Sequence, residues 1–192
     1  MGFVAIFGGT FNPVHKAHVA TAEDFIEKIG LDVLYIIPNN VPPMKQTGNV
    51  SGEDRAKMLE IAFAHNEKVI VSHMELNRDG TSYTCDTVAE LREMHPDSQL
   101  FLLTGDDWAE DFDKWKNYRY ILENVQLVIA ARGEKDITPA LDKLESLTGA
   151  RPSLLKNDRI LLSSSQFRAC PKSEYLPDGV FEYIEKRRLY GV

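Results

Sequence analysis

Cysteine is almost missing from this chain: of 192 residues, only Cys85 and Cys170 carry a thiol. Two isolated cysteines cannot build the disulfide framework on which small secreted domains rely. They fit a reducing compartment, so a cytoplasmic location is expected. Also missing is an apolar run long enough to span a bilayer, so no membrane partner is expected. Dense clusters of Lys and Arg are missing too. There are 22 basic residues against 29 acidic, a net charge of −7, whereas nucleic-acid backbones reward concentrated basic charge. A nucleic-acid partner is therefore not expected, although an acidic protein can still hold a locally basic pocket for a small anion. The opening Met-Gly-Phe-Val-Ala-Ile-Phe shows no basic leader and no small-residue cleavage site, and reads as a strand rather than a signal peptide. Position 6 is Ile, where a myristoylation signal on Gly2 needs Ser or Thr.

The composition that remains is ordinary for a globular chain, 43% hydrophobic and 27% charged. The length suits a single domain over residues 1–192, large enough to bury a core without staples. Hydrophobic periodicity alternates between strand and helix. Residues 3–7 are apolar and run into Gly8-Gly9, a buried strand and a tight turn. Val19, Ala22, Phe25, Ile26 and Ile29 recur at helical spacing over residues 15–29, and Gly30 ends that helix. Strands are expected at 33–37, 68–72, 99–104, 125–131 and 159–163. Residues 38–52 read as a loop. Helices are expected at 53–64, where Arg55, Met58, Leu59 and Ala62 sit on adjoining turns, and at 85–94 and 178–188. Repeated β–α units predict an α/β fold, a Rossmann-like doubly wound parallel sheet with a C-terminal helical segment. Ligands of such sheets bind at the carboxyl ends of the strands.

The segment from Gly8 to His18 reads Gly-Gly-Thr-Phe-Asn-Pro-Val-His-Lys-Ala-His. Glycines at a strand end let backbone N–H groups approach a phosphate. His15 and His18, three residues apart, share a face near the positive end of the following helix. Two imidazoles beside bare amides suit phosphate oxygens that gain charge during phosphoryl-type transfer. Half a zinc site is the rival reading, but no Cys or His at suitable spacing completes one, so no metal-binding residue is expected. Near the other end, Leu162 to Arg168 reads Leu-Ser-Ser-Ser-Gln-Phe-Arg. Its hydroxyls cap a helix, and with Arg168 they can hold a leaving pyrophosphate.

The first segment resembles the His-x-Gly-His signature of the nucleotidyltransferase superfamily, and the second its Ile-Ser-Ser-Thr-x-Ile-Arg element. The resemblance implies that His15, His18 and Arg168 are catalytic. It also implies that Gly8, Gly9, Thr10, Phe11, Gly105, Asp107, Arg132, Ser164 and Ser165 contribute to binding ATP. One position departs from the pattern: Ala17 stands where the family has Gly, and its methyl crowds the approach of adenine to the backbone.

Elements in the middle of the chain point to the acceptor. Residues 36–45 (Ile-Ile-Pro-Asn-Asn-Val-Pro-Pro-Met-Lys), Ser82-Tyr83-Thr84, Gly105-Asp106-Asp107 and Trp115-Lys116-Asn117-Tyr118 are similar, in order and spacing, to the bacterial nicotinate mononucleotide adenylyltransferases. Met44 departs from them, since His is usual there. Trp115 can stack on a pyridine ring, the Tyr83-Thr84 turn can offer N–H groups to a carboxylate, Lys45 can take the acceptor phosphate, and Asp107 can accept from a ribose hydroxyl. Thr10 and Asn40 complete the implied acceptor set. The implied substrates are ATP and nicotinate mononucleotide, with Mg2+ carried in by the phosphates. Neighbouring readings share the two motifs: the amidated mononucleotide or phosphopantetheine as acceptor, or a nucleotide-binding homologue with little turnover. The sequence leaves a homo-oligomer open.

Overall fold

The computed structural model describes residues 2–41, 50–132, 136–149, 151–157 and 162–192, apart from the side chains of residues 132, 148, 156 and 157. Its strands are β1 (Phe3–Gly9), β2 (Val33–Pro38), β3 (Val69–Val71), β4 (Gln99–Gly105), β5 (Gln126–Arg132) and β6 (Ser153–Asn157). Its helices are α1 (Lys16–Ile29), α2 (Gly52–Phe63), α3 (Thr84–Met94), α4 (Asp106–Ala109), α5 (Tyr118–Asn124), α6 (Thr138–Thr148), α7 (Ser164–Ala169) and α8 (Val180–Arg187). The strands form one sheet in the order β3-β2-β1-β4-β5-β6, parallel throughout. The chain winds outward from β1 through β2 and β3, then returns to the other side of β1 with β4. The strand order reverses between β1 and β4, which opens a crevice at their carboxyl ends.

Both faces of the sheet are apolar because side chains alternate along a strand and helices cover each side. Ala5 and Phe7 of β1 pack with Phe25 of α1, Leu59 of α2 and Ile184 of α8. Val4 and Ile6 point the other way and join Leu91 of α3, Ile121 of α5 and Leu144 of α6. α1 buries Ala22, Phe25 and Ile26 and ends at Gly30, whose φ of 71° few residues other than glycine adopt readily. Truncating Phe25, which is fully buried, to Ala would cost roughly 3–5 kcal/mol.

The sequence reading misplaces one strand. The sixth was expected at 159–163, but it is Ser153–Asn157, pairing with β5 from Val128↔Ser153 to Arg132↔Asn157. Residues 158–161 lie outside the described residues, and Leu162 and Ser163 are not strand. Both stretches carry a short apolar run, and periodicity alone does not choose between them. Helix α6, which leads into β6, was not foreseen.

Candidate active site

The turn after β1 is shaped by a few side chains. A Cβ on Gly9 would lie 2.9 Å from the Phe11 ring, so that ring needs glycine beside it. Phe11 itself takes a positive φ of 48° and packs edge-on against Phe7 at 5.4 Å and His18 at 5.1 Å. Its part in the site is to prop His18. His15 is the N-cap of α1 rather than its first residue, which places it one turn before His18. Their rings stack with centroids 3.7 Å apart. The His15 backbone N–H donates to His18 Nδ1 at 3.2 Å. A backbone amide can only donate, so Nδ1 holds a lone pair and the proton of a neutral ring resides on Nε2.

Beneath this turn lies a cation that the sequence reading did not assign. Arg55 of α2 is 1% exposed. It donates to the carbonyl of Thr10 at 2.7 Å and to that of Asn39 at 2.6 Å, tying together the ends of β1 and β2. Burial lowers its pKa from its ordinary value. The signal was present, since an Arg shared a helix face with Met58, Leu59 and Ala62. Asn39 strengthens the same tie, with its backbone N–H on the Gly9 carbonyl at 3.0 Å and Nδ2 on Thr10 Oγ1 at 3.3 Å.

The second motif closes on the first from above. Ser163 Oγ caps α7 by accepting from the Gln166 N–H at 3.1 Å. Ser164 Oγ donates to the Pro13 carbonyl at 2.9 Å. Arg168 donates to the Asn12 carbonyl at 2.6 Å and to Ser165 Oγ at 3.0 Å. Tyr190 adds a further tie, its hydroxyl donating to Asn12 Oδ1 at 2.6 Å. Burial pushes this phenol up from its usual value, so it stays a neutral donor.

Across the crevice, Tyr83 is the N-cap of α3 and Thr84 its first residue. Beside them in the cavity wall, Glu75 is buried and accepts from Thr87 Oγ1 at 2.6 Å. Burial raises its carboxyl, against the opposing pull of Thr87, Ser82 and Arg78. Trp115 is half-buried, stacked on Phe112 at 4.7 Å and edge-on to Trp108 at 6.0 Å. Asp106 is buried while Asp107 is exposed at the cavity.

These parts line one cavity of about 460 Å³, a volume typical of small-molecule sites. It gathers Gly8, Gly9, Thr10, Phe11, His15 and His18 from the first motif, and Ser164, Ser165 and Arg168 from the second. Tyr83, Thr84, Gly105, Asp107 and Trp115 complete the side across from them. Asn40 does not line it. Its Nδ2 donates to the Arg78 carbonyl at 3.2 Å and its N–H to Ser82 Oγ at 3.0 Å, while neighbouring Asn39 takes the cavity position. Lys45 and Met44 lie outside the described residues, and of Arg132 the backbone alone is described, at the end of β5. Among the described residues, no three or more His, Cys, Asp or Glu side chains gather as metal ligands, and no helix is long and apolar enough to cross a membrane. Cys85 is buried, and burial together with Asp86 raises its thiol, so it is no nucleophile. A wider hollow of about 580 Å³ opens at the amino ends of β4 and β5. Its Arg92 is already engaged by the carbonyls of Ser98 and Asn124, each at 2.7 Å, and it offers no comparable chemistry.

Paired histidines at the start of one helix, a serine–arginine element at the start of another, and a parallel sheet that opens between them define a nucleotidyltransferase. Comparison with known proteins agrees. The chain belongs to the cytidylyltransferase-like family, whose model matches residues 6–170, and within it to the nicotinate-nucleotide adenylyltransferases. It is 34% identical to a protein of Clavibacter michiganensis subsp. michiganensis over 97% of this chain and 93% of that one. It is 36% identical to one of Geobacter sp. strain M21 over 97% of each. Both relatives are named probable nicotinate-nucleotide adenylyltransferase. The fold is also that of Plasmodium falciparum nicotinic acid mononucleotide adenylyltransferase, solved with NaAD, with a TM-score of 0.79 at 19% identity over 99% of this chain and 98% of that one.

Proposed function

We propose that this chain transfers the adenylyl group of ATP to nicotinate mononucleotide, giving nicotinate adenine dinucleotide and pyrophosphate, a step of NAD biosynthesis. The observation that carries this reading is the convergence of both phosphate motifs and the Tyr83–Trp115 side in one cavity.

An oxygen of the acceptor phosphate attacks the α-phosphorus of ATP. The new P–O bond forms as the bond to the β-phosphate bridging oxygen breaks, and the leaving pyrophosphate keeps that electron pair. No covalent enzyme intermediate is needed, so catalysis rests on positioning and charge stabilisation. His15 and His18 donate to the oxygens that gain charge, with Thr10 beside them. Ser164, Ser165 and Arg168 hold the pyrophosphate portion. Trp115 stacks on the pyridine ring, the N–H groups at Tyr83 and Thr84 take its carboxylate, and Asp107 accepts from a ribose hydroxyl. Lys45 and Arg132 are assigned to the acceptor phosphate and to ATP. Mg2+ fits as an ion held by phosphates and water, because the phosphate end of the cavity presents donors rather than carboxylates. Bound there, it supplies neutralising charge on the phosphates. The work is assigned to a single domain over residues 1–192 in the cytoplasm, with small molecules rather than nucleic acid as partners.

The test is pyrophosphate release with ATP and Mg2+, offering nicotinate mononucleotide, its amide and phosphopantetheine in parallel. Release well above the others with the nicotinate form is expected. Release with none, in a chain that still binds ATP, would overturn the assignment.

A further inference from the structure

We propose that Lys116 sets the preference for an acid over an amide on the pyridine ring of the acceptor. This inference rests on the function assigned above and names the residue that makes that site selective.

Backbone N–H groups at the start of α3 discriminate weakly between the two acceptors. A carboxylate oxygen and an amide oxygen both accept from them, and the difference at that oxygen is one of charge. A full positive charge nearby separates the two in a way that neutral donors cannot. Lys116 supplies one. It follows Trp115 directly in the chain and lines the same cavity as Tyr83 and Thr84. Its Nζ lies 4.3 Å from the centre of the Tyr83 ring, which places the ammonium beside the turn that receives the ring substituent. The ammonium attracts the full negative charge of a carboxylate, whereas a neutral amide offers it only the dipole of its C=O.

A counter-charge tempers this effect. Asp86 sits in the first turn of α3, and Lys116 Nζ is 3.2 Å from its Oδ2 and 3.5 Å from its Oδ1. Asp86 is not among the residues lining the cavity, whereas Lys116 is. The pair therefore turns its positive member toward the ligand. Without Lys116, the Asp86 charge would stand uncompensated next to the carboxylate position. Both side chains are partly open to water, at 45% and 41% exposed, so screening reduces the effect and substitutions here spare the core.

The opposite charges give opposite predictions. kcat/KM would be measured for wild type, Lys116→Met and Asp86→Asn with nicotinate mononucleotide and with nicotinamide mononucleotide. Lys116→Met is expected to lower the acid-to-amide ratio roughly fivefold, through a higher KM for the acid, since one charge at this range in a partly screened site has about that weight. Asp86→Asn is expected to raise the ratio, and Lys116→Arg to keep it. A merely structural role for Lys116 would lower both activities and leave the ratio fixed. A ratio unmoved by Lys116→Met, in an enzyme that uses nicotinate mononucleotide, overturns this inference alone. A wild-type chain that turns over neither mononucleotide overturns the assigned function and this inference with it.

Discussion

His18 is held in place by its neighbours in the first motif. The His15 amide occupies Nδ1, Phe11 bears on one side of the ring and the His15 ring stacks on another. Nε2 therefore carries the proton of the neutral ring, and it is the atom proposed to donate to a phosphate oxygen. His18→Ala is expected to lower kcat by roughly 10²–10³, as the loss of one preorganised donor does, while the melting temperature moves by only a few degrees. Near-normal turnover would remove His18 from the mechanism. Ala17 sits between the two histidines, half-buried. Ala17→Gly is expected to lower the KM for ATP by relieving the crowding of adenine, and an unchanged or higher KM would count against that steric account.

At the scale of elements, α2 acts as a bracket between the site and the C-terminal helix. Its Arg55 reaches the site side, and the adjacent Asp54 reaches α8, accepting from Tyr183 Oη at 2.8 Å and Arg187 Nε at 3.2 Å. Burial works to raise the Asp54 carboxyl, but hydrogen bonds from Ser51, Tyr183 and Arg187 outweigh it and hold the group below its ordinary 3.8. A depressed carboxylate stabilises the fold above its unfolded pKa, and that contribution disappears as pH falls through the lower folded value. Asp54→Asn is therefore expected to cost roughly 1–3 kcal/mol at pH 7. The gap to wild type should narrow steadily as pH is lowered below 3.8, read by urea unfolding at each pH. A gap that is constant with pH would mean that packing, not charge, carries the tie.

At the scale of the molecule, chain ends meet at the site. Tyr190 bonds to Asn12 across 178 positions and Arg168 across 156, so the C-terminal helices complete the cradle begun by β1. Closure of this kind predicts one cooperative unit. Tryptophan fluorescence, which reports Trp108 and Trp115 on one side of the sheet, and far-ultraviolet circular dichroism should give coincident urea transitions. Separated midpoints would divide the chain into independently stable parts and overturn the single-domain assignment.

The alternation of β and α units, the parallel doubly wound sheet and the two motifs that come to line one cavity were legible in the amino-acid order. Each rests on local spacing: period two on strands, three or four on helices, glycine at turns, serine at caps. Strand β6 was not legible, because two short apolar runs competed and pairing with β5 chose between them. Nor was the choice of Asn39 over Asn40 for the cavity, which turns on the exit of β2. The chemistry available to this protein was thus fixed locally, by which residues follow which. Tertiary structure alone decided which polar groups meet: a buried Arg55 joining two strand ends, Tyr190 reaching the first turn, and Lys116 brought beside Tyr83. Those pairings join residues far apart in the chain, and only the winding of the sheet sets their distances.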